Sequence, residues 1–325
     1  MDLTAVSVFT LWTAAVLYAI AMVAYSVRLA KVADAKVEAR RETAVSVGSA
    51  RGEALSRGAS SAEDSSAEAR VLAAKALGIG RAATLVGAAL HGVGVLTRGI
   101  DSGHVPWSNM YEFTISGSLV AVVVFLVVER FRDVAFLAPG VTGIAAIALG
   151  LGLTVLYAES TGLQPALQSF WLVIHVSIAV IATGILTVAA VASALQLARH
   201  ARESGKGAFS GQRTRWLEAV PTSTNLEALA FRLNAVGFVL WTFTLVAGAI
   251  WAEHAWGRYW GWDPKEIWTF VIWVLYAAYL HARTTQGWSG RKAAWLSLAA
   301  YAAVILNFTV VNIVFQGLHS YAGVS

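Results

Sequence analysis

The densest chemistry in this sequence lies in residues 251–283, WAEHAWGRYWGWDPKEIWTFVIWVLYAAYLHAR, which carry six of the chain's 13 Trp within their first 23 positions. Trp256, Tyr259, Trp260 and Trp262 fall within seven positions of a polar loop, about residues 251–266. Rings at that density make a stacking platform for a large planar ligand. The plainer reading is an interfacial aromatic belt, as in many membrane proteins. Asp263, Pro264 and Glu266 read as N-cap, first helical residue and capping-box carboxylate, so a helix is predicted to start at Pro264. It stays apolar through Tyr279 and meets His281 before Arg283. At about 1.5 Å per residue, Lys265 and His281 stand about 24 Å apart. A hydrocarbon core is about 30 Å thick, which puts the loop and His281 on opposite faces of one bilayer.

The other chemistry-bearing residues are His, because the chain has seven His and no Cys. It therefore carries no covalent c-type haem, disulfide, Cys metal site or thiol nucleophile, and thiol or redox chemistry must come from partners. His91 falls within an apolar stretch, where an imidazole is either functional or bonded to a neighbouring helix. His175, in WLVIHVS, lies about two turns below the face that carries the aromatic loop. His319 follows Gly317, which is expected to stop the last helix on that same face. His104 is expected to be a hydrogen-bonded loop residue, His200 to be solvated, and His254 to have no role.

The elements that must position these residues are membrane helices. The chain has 325 residues, 57% hydrophobic and 13% charged, the composition of a polytopic membrane protein. About eight spanning helices are predicted, near 4–27, 82–99, 111–129, 134–157, 169–197, 233–252, 265–282 and 294–316, an all-α fold. No cleavable signal is expected. Of 24 Lys and Arg, 21 fall in segments 28–81, 130–133, 198–232 and 283–293, leaving Arg98, Arg258 and Lys265 on the other side. The positive-inside rule then places both termini and the aromatic loop outside a plasma membrane. Residues 31–80 are rich in Ala, Ser, Glu and Arg and are expected to form a disordered cytoplasmic linker, since they cannot bury enough surface to fold alone. The predicted organisation is thus an N-terminal span (1–30), that linker, and a seven-helix domain (81–325). The formal charge of +5 gives no reason to expect a nucleic-acid partner.

WGRYWGWDPKE resembles the "WWD" signature, WGxxWxWDxxE, of haem-handling membrane proteins. Its continuation, WTFVIWVLYAAYLHAR, resembles the CcsA/ResC family of System II cytochrome c biogenesis. Three further stretches resemble that family over roughly 80–325: GHVPWSNMYEF (103–113), WLVIHVS (171–177) and GLHSY (317–321). Glu253-His254 and Thr183-Gly184 depart from its pattern. The resemblance implies that His175 and His319 are axial ligands of an outer haem. Trp256, Trp260, Trp262 and Asp263 would form its WWD platform, with Lys265 or Arg258 available for a propionate. It also implies that His281 ligates an inner haem whose opposite ligand comes from a partner.

The same resemblance implies cytochrome c maturation with haem b as non-covalent cofactor. A CcsB/ResB-type partner would help carry haem outward, and the chain would act within a membrane cytochrome c synthase (haem lyase) complex. There haem is offered to the CxxCH of apocytochrome c, with thiol-reducing partners keeping the Cys reduced. Two other readings stand beside it: a haem chaperone of the ABC-linked pathway, and a b-type electron-transfer subunit.

Overall fold

Long apolar runs leave a backbone in lipid no hydrogen-bond partners but its own, and helices are the outcome. A computed structural model describes residues 2–48, 56–160, 162–205, 209 and 211–319, with side chains for all of these except 41–48 and 56–65. The described residues contain no strand. The helices are α1 (Leu3–Gly48), α2 (Ser56–Ser102), α3 (Met110–Phe131), α4 (Ala138–Thr154), α5 (Phe170–Glu203), α6 (Ser223–Trp256), α7 (Pro264–Thr285), α8 (Arg291–Phe308) and α9 (Val310–Val314). Short 3-10 turns lie at Pro165–Leu167 and Gln212–Ala219. The protein is an all-α polytopic membrane protein. Six helical stretches among the described residues are long and apolar enough to cross a bilayer: those of α1, α2, α3, α5, α6 and α8–α9. The other two expected spans coincide with α4, an apolar helix of 17 residues, and with α7, where two Trp, two Tyr, His281 and Arg283 lower the hydropathy.

α1 and α2 run antiparallel, held by a seven-residue repeat. Gly94, Gly87 and Gly80 of α2 face Leu11, Tyr18 and Tyr25 of α1; a Cβ on these glycines would approach those side chains to 2.6, 3.0 and 3.0 Å. Small residues at seven-residue spacing let the two backbones close on each other. Thr4 donates to Asp101 at 2.9 Å one repeat further out.

Where it is described, the segment expected to be a disordered linker is helical. On either side of 49–55, which lie outside the described residues, 31–48 and 56–80 are helical and continue α1 and α2. The composition argument counted only surface that the segment could bury by itself. A helix already nucleated in the membrane needs no new nucleus, and buried Ala33, Ala35, Ala69, Ala73 and Ala76 let the pair stay close. The α1 extension also rests on the Gln212–Ala219 turn. Lys36 Nζ donates to the Glu218 carbonyl at 3.1 Å, Asp34 pairs with Arg215 at 3.8 Å, and Arg40 with Glu218 at 3.5 Å.

α5 to α8 form the half that carries the site. Polar groups pin them together where water is absent: Thr187 to Tyr301 at 2.9 Å, Ser193 to Ser297 at 3.1 Å, Asn234 Nδ2 to Ser297 at 2.9 Å. Trp241 Nε1 donates to the Thr269 carbonyl at 3.1 Å, and Trp273 Nε1 to Thr242 Oγ1 at 3.0 Å, fastening α6 to α7. At the end of α7 far from the aromatic loop, Glu227 pairs with Arg283 at 3.1 Å and accepts the Gly290 amide at 2.9 Å. The last expected helix (294–316) is broken at Thr309, and its continuation ends at Val314, before Gly317.

Candidate functional site

The aromatic loop is wound around one carboxylate. α6 stops at Trp256, with Gly257 in the left-handed region (φ 69°) and its amide on the Glu253 carbonyl. α7 begins as expected: Asp263 is the N-cap, Pro264 the first helical residue, and Glu266 completes the capping box. Glu266 Oε2 accepts the amides of Gly261 at 2.8 Å and Asp263 at 3.0 Å, while Oε1 accepts Arg258 Nη1 at 3.3 Å. Those two amides flank Trp262 and fix its backbone at φ 60°, a region that costs a bulky L-residue roughly 1–2 kcal/mol. Gly261 has no side chain because the Arg258 guanidinium fills the space a Cβ would need.

Asp263 does a second task at the same time. Its Oδ2 accepts the Leu318 amide at 2.7 Å, and its Oδ1 accepts His319 Nδ1–H at 2.8 Å. Gly317 makes this approach feasible, since a Cβ there would collide with Asp263 and Pro264. Gly317 is therefore needed for contact, where the sequence suggested a helix stop. Burial works to raise the Asp263 carboxyl. The His319 hydrogen bond and charge, with the Leu318 and Lys265 amides, outweigh it and hold the group below the ordinary Asp value. The His319 ring meets Trp251 and Trp256 edge-on, with centroids 5.3 and 4.8 Å away.

His175 approaches from α5. Its Nδ1–H donates to the Thr244 carbonyl of α6 at 2.9 Å, and its ring stacks on Trp251 at 5.8 Å with planes 10° apart. A Cβ on Gly248 would lie 2.7 Å from His175 Cε1, so the imidazole occupies the place of an absent side chain. Because carbonyl and carboxylate oxygens only accept, His175 and His319 both donate from Nδ1–H. Nε2 is then the nitrogen each ring can offer to a ligand, and neither Nε2 makes a hydrogen bond among the described residues.

Both imidazoles line one cavity of about 340 Å³, together with Trp251, Trp260, Tyr259, Lys265 and the start of α3. That volume lies within the roughly 300–1,000 Å³ of small-molecule pockets. Two imidazoles, aromatic walls and one basic side chain are the kinds of group that would hold a planar, metal-bearing macrocycle. The start of α3 is fixed by a buried Arg98–Glu112 pair at 3.0 Å. Glu112 also accepts Ser108 N and Oγ at 2.9 and 2.7 Å, and Asn109 caps the helix.

The structure thus brings together His175, His319, Trp260 and Lys265 around the cavity, with Asp263 and Trp256 behind His319. Two sequence-derived candidates stand apart. Trp262 is 72% exposed, meets Trp260 edge-on at 5.8 Å, and is not part of the cavity wall. His281 is exposed near the far end of α7. His91 is fully buried, with Nε2–H donating to the Ile115 carbonyl at 2.8 Å and Nδ1 accepting from Tyr18 OH at 3.2 Å. His104 Nδ1 donates to the Val105 carbonyl at 3.0 Å, and His254 stacks on Trp171 at 6.1 Å. Three residues escaped the sequence reading: Thr244, Gly248 and Trp251, at i, i+4 and i+7 on one face of α6. Trp251 is buried, and its Nε1–H donates to the Ala166 carbonyl at 3.1 Å. Helical periodicity alone would have shown that these three share a face.

The Cytochrome C assembly protein family matches residues 107–319, which contain the whole cavity wall. Cytochrome c biogenesis protein CcsA of Synechococcus sp. (strain RCC307) is 36% identical over 246 residues, covering 70% of this chain and 79% of that protein. The CcsA of Synechococcus sp. (strain CC9605) is 35% identical over 246 residues, 70% and 81% of the two chains. That of Prochlorococcus marinus subsp. pastoris (strain CCMP1986 / NIES-2087 / MED4) is 36% identical over 249 residues, 70% and 78%. The helices that build the site are the helices that match, and the chain belongs to the cytochrome c assembly protein family, among the CcsA-type cytochrome c biogenesis proteins.

Proposed function

We propose that this chain presents haem b at the external face of a plasma membrane for attachment to apocytochrome c. The supporting observation is the pair of Nδ1-tethered imidazoles, His175 and His319, whose free Nε2 atoms share one aromatic-walled cavity. When bound, haem supplies an iron with two axial positions and the vinyl groups to which the Cys thiols of a CxxCH motif add. The chain's own residues do the holding. Thr244 and Asp263 fix the tautomer and plane of each imidazole, as second-layer acceptors do for metal-binding His generally. Trp251 and Trp256 pack behind the imidazoles, and Trp260 closes the wall. No Cys of this chain competes with the incoming thiols.

On this reading the aromatic loop and both termini lie outside, and the α1–α2 extension lies in the cytoplasm, in keeping with the distribution of Lys and Arg. Haem reaches the site with a CcsB/ResB-type partner, within a cytochrome c synthase complex, and separate reductants keep the apocytochrome thiols reduced. His281 is the inner ligand, its second axial position filled by the partner, which agrees with its exposure on α7. An open cavity walled by a loop favours transfer over a b-type electron-transfer role, whose ligands sit inside the bundle. A chaperone of the ABC-linked pathway is the other alternative. The test is co-expression with the partner and a CxxCH reporter, scored by covalent haem on the reporter. His175→Ala and His319→Ala should each abolish it, with partial rescue by added imidazole. His281→Ala should deplete haem at both faces. Normal reporter haem in either outer variant contradicts the proposal, and intact outer haem in His281→Ala removes the inner role.

A further inference from the structure

Three basic residues stand at the loop end of the bundle, and two of them are already neutralised. Arg98 Nε is 3.0 Å from Glu112 Oε1, and Arg258 Nη1 is 3.3 Å from Glu266 Oε1. Lys265 is the third. Among the described residues its Nζ meets no carboxylate within 4 Å; its one hydrogen bond is to the Asn307 carbonyl, at 2.7 Å. That carbonyl lies where α8 breaks, two residues before Thr309 (φ −93°, ψ −80°). Among the described residues Lys265 is the only Lys or Arg in the cavity wall, and Glu266 the only acid. Glu266 is turned to the loop, where two amides and Arg258 use its oxygens.

The position of Lys265 is unfavourable by itself. It is the second residue of α7, where the helix N-terminus already presents partial positive charge, so a cation there is repelled. A half-buried cation with no carboxylate in contact, and only the more distant Asp263 to attract it, costs further desolvation. Two of its three N–H donors remain for a partner. We propose that Lys265 Nζ, at the seam of α7 and α8, is the anchor for a carboxylate of the molecule that fills the cavity. Resting on the function proposed above, that carboxylate is a haem propionate. Arg258, the other candidate from the sequence, is committed to holding the loop. Anchoring one edge of the ring at this seam fixes its rotation about the axis between the two imidazoles, which axial ligation alone leaves free.

The test uses the purified full-length chain in detergent, titrated with haemin and with haemin dimethyl ester and followed by Soret absorbance. Wild type should bind the free acid more tightly than the ester by roughly tenfold to a hundredfold, the scale of one charge-assisted hydrogen bond. This arm needs no variant to fold. Lys265→Met should weaken only the free acid and so erase the preference, while Lys265→Arg should retain most of it. Equal binding of acid and ester by wild type overturns the assignment, as does equal weakening of both ligands in Lys265→Met. Loss of co-purifying phospholipid phosphate from Lys265→Met, with the acid preference intact, would assign the charge to a lipid headgroup and also overturn it. Failure of wild type to bind either compound is a different result, one that contradicts the haem reading itself.

Discussion

His91 and His175 both stand on long apolar helices, and each donates one ring N–H to a carbonyl of a neighbouring helix. The second nitrogen separates them. Tyr18 OH donates to His91 Nδ1, so that ring has no lone pair left. His175 keeps Nε2 open on a cavity. The halves of the molecule differ in the same way. In α1–α3 charged and polar side chains answer one another, as Arg98 does Glu112 and Thr4 does Asp101, although Tyr25 OH is left without a hydrogen bond among the described residues. In α5–α9 and the segment that follows, the chain leaves two imidazole Nε2 atoms and one cation facing a shared space. Burial does not distinguish a strut from a ligand; an unused nitrogen that faces a cavity does, and an unused one away from it, as His104 Nε2, does not.

The contrast is broken most directly by Ala at each imidazole. His175→Ala should lose most bound haem while the protein remains folded. His91→Ala should keep haem and lose stability, by about 2 kcal/mol or more, from two buried hydrogen bonds and a void. Haem per protein and thermal unfolding, measured side by side, check both, and equal haem loss in the two variants would erase the distinction. Asp263→Asn comes next. It removes the anionic acceptor of His319 while leaving a competent N-cap on α7, and a loss of about 10- to 100-fold in haem affinity is expected. A smaller loss is expected for Gly248→Ala, whose methyl overlaps His175 Cε1; the tilted imidazole should show as a changed spectrum before a changed yield. Among the Trp, Trp260→Ala should weaken haem more than Trp262→Ala, because only Trp260 lines the cavity. Haem titration of the two single variants decides this. The smallest effect is expected from Asp34→Ala with Arg40→Ala on the α1 extension, since exposed ion pairs contribute about 0–1 kcal/mol each. Cytochrome assembly in that double variant should stay near normal.

Much of this was legible in the residues. Asp263-Pro264-x-Glu266 specifies a helix start by local hydrogen bonding alone, and the structure has that capping box. The membrane helices followed from hydropathy. What stayed hidden depends on contacts between distant segments. Nothing local indicates that Asp263 also holds His319, because that contact spans 56 positions and needs Gly317 to lie on the carboxylate. The Thr244–Gly248–Trp251 face was within reach of periodicity, but its meaning required knowing that α5 packs there. Residues 31–48 and 56–80 are helical for an opposite reason. Composition describes what a segment does alone, and these stretches continue helices already begun. Trp262 belongs to the motif, yet two flanking amides on Glu266 turn it outward.

The central claim is that His175 and His319 are the axial pair of one haem. The absorption spectrum of the purified full chain, ferrous and ferric, beside His175→Ala and His319→Ala tests it most directly, with pyridine-haemochrome quantification of extractable haem. The account predicts low-spin, six-coordinate haem b in wild type, and in either variant loss of haem or a five-coordinate, high-spin spectrum that imidazole reverts. A low-spin spectrum unchanged in either variant would contradict it.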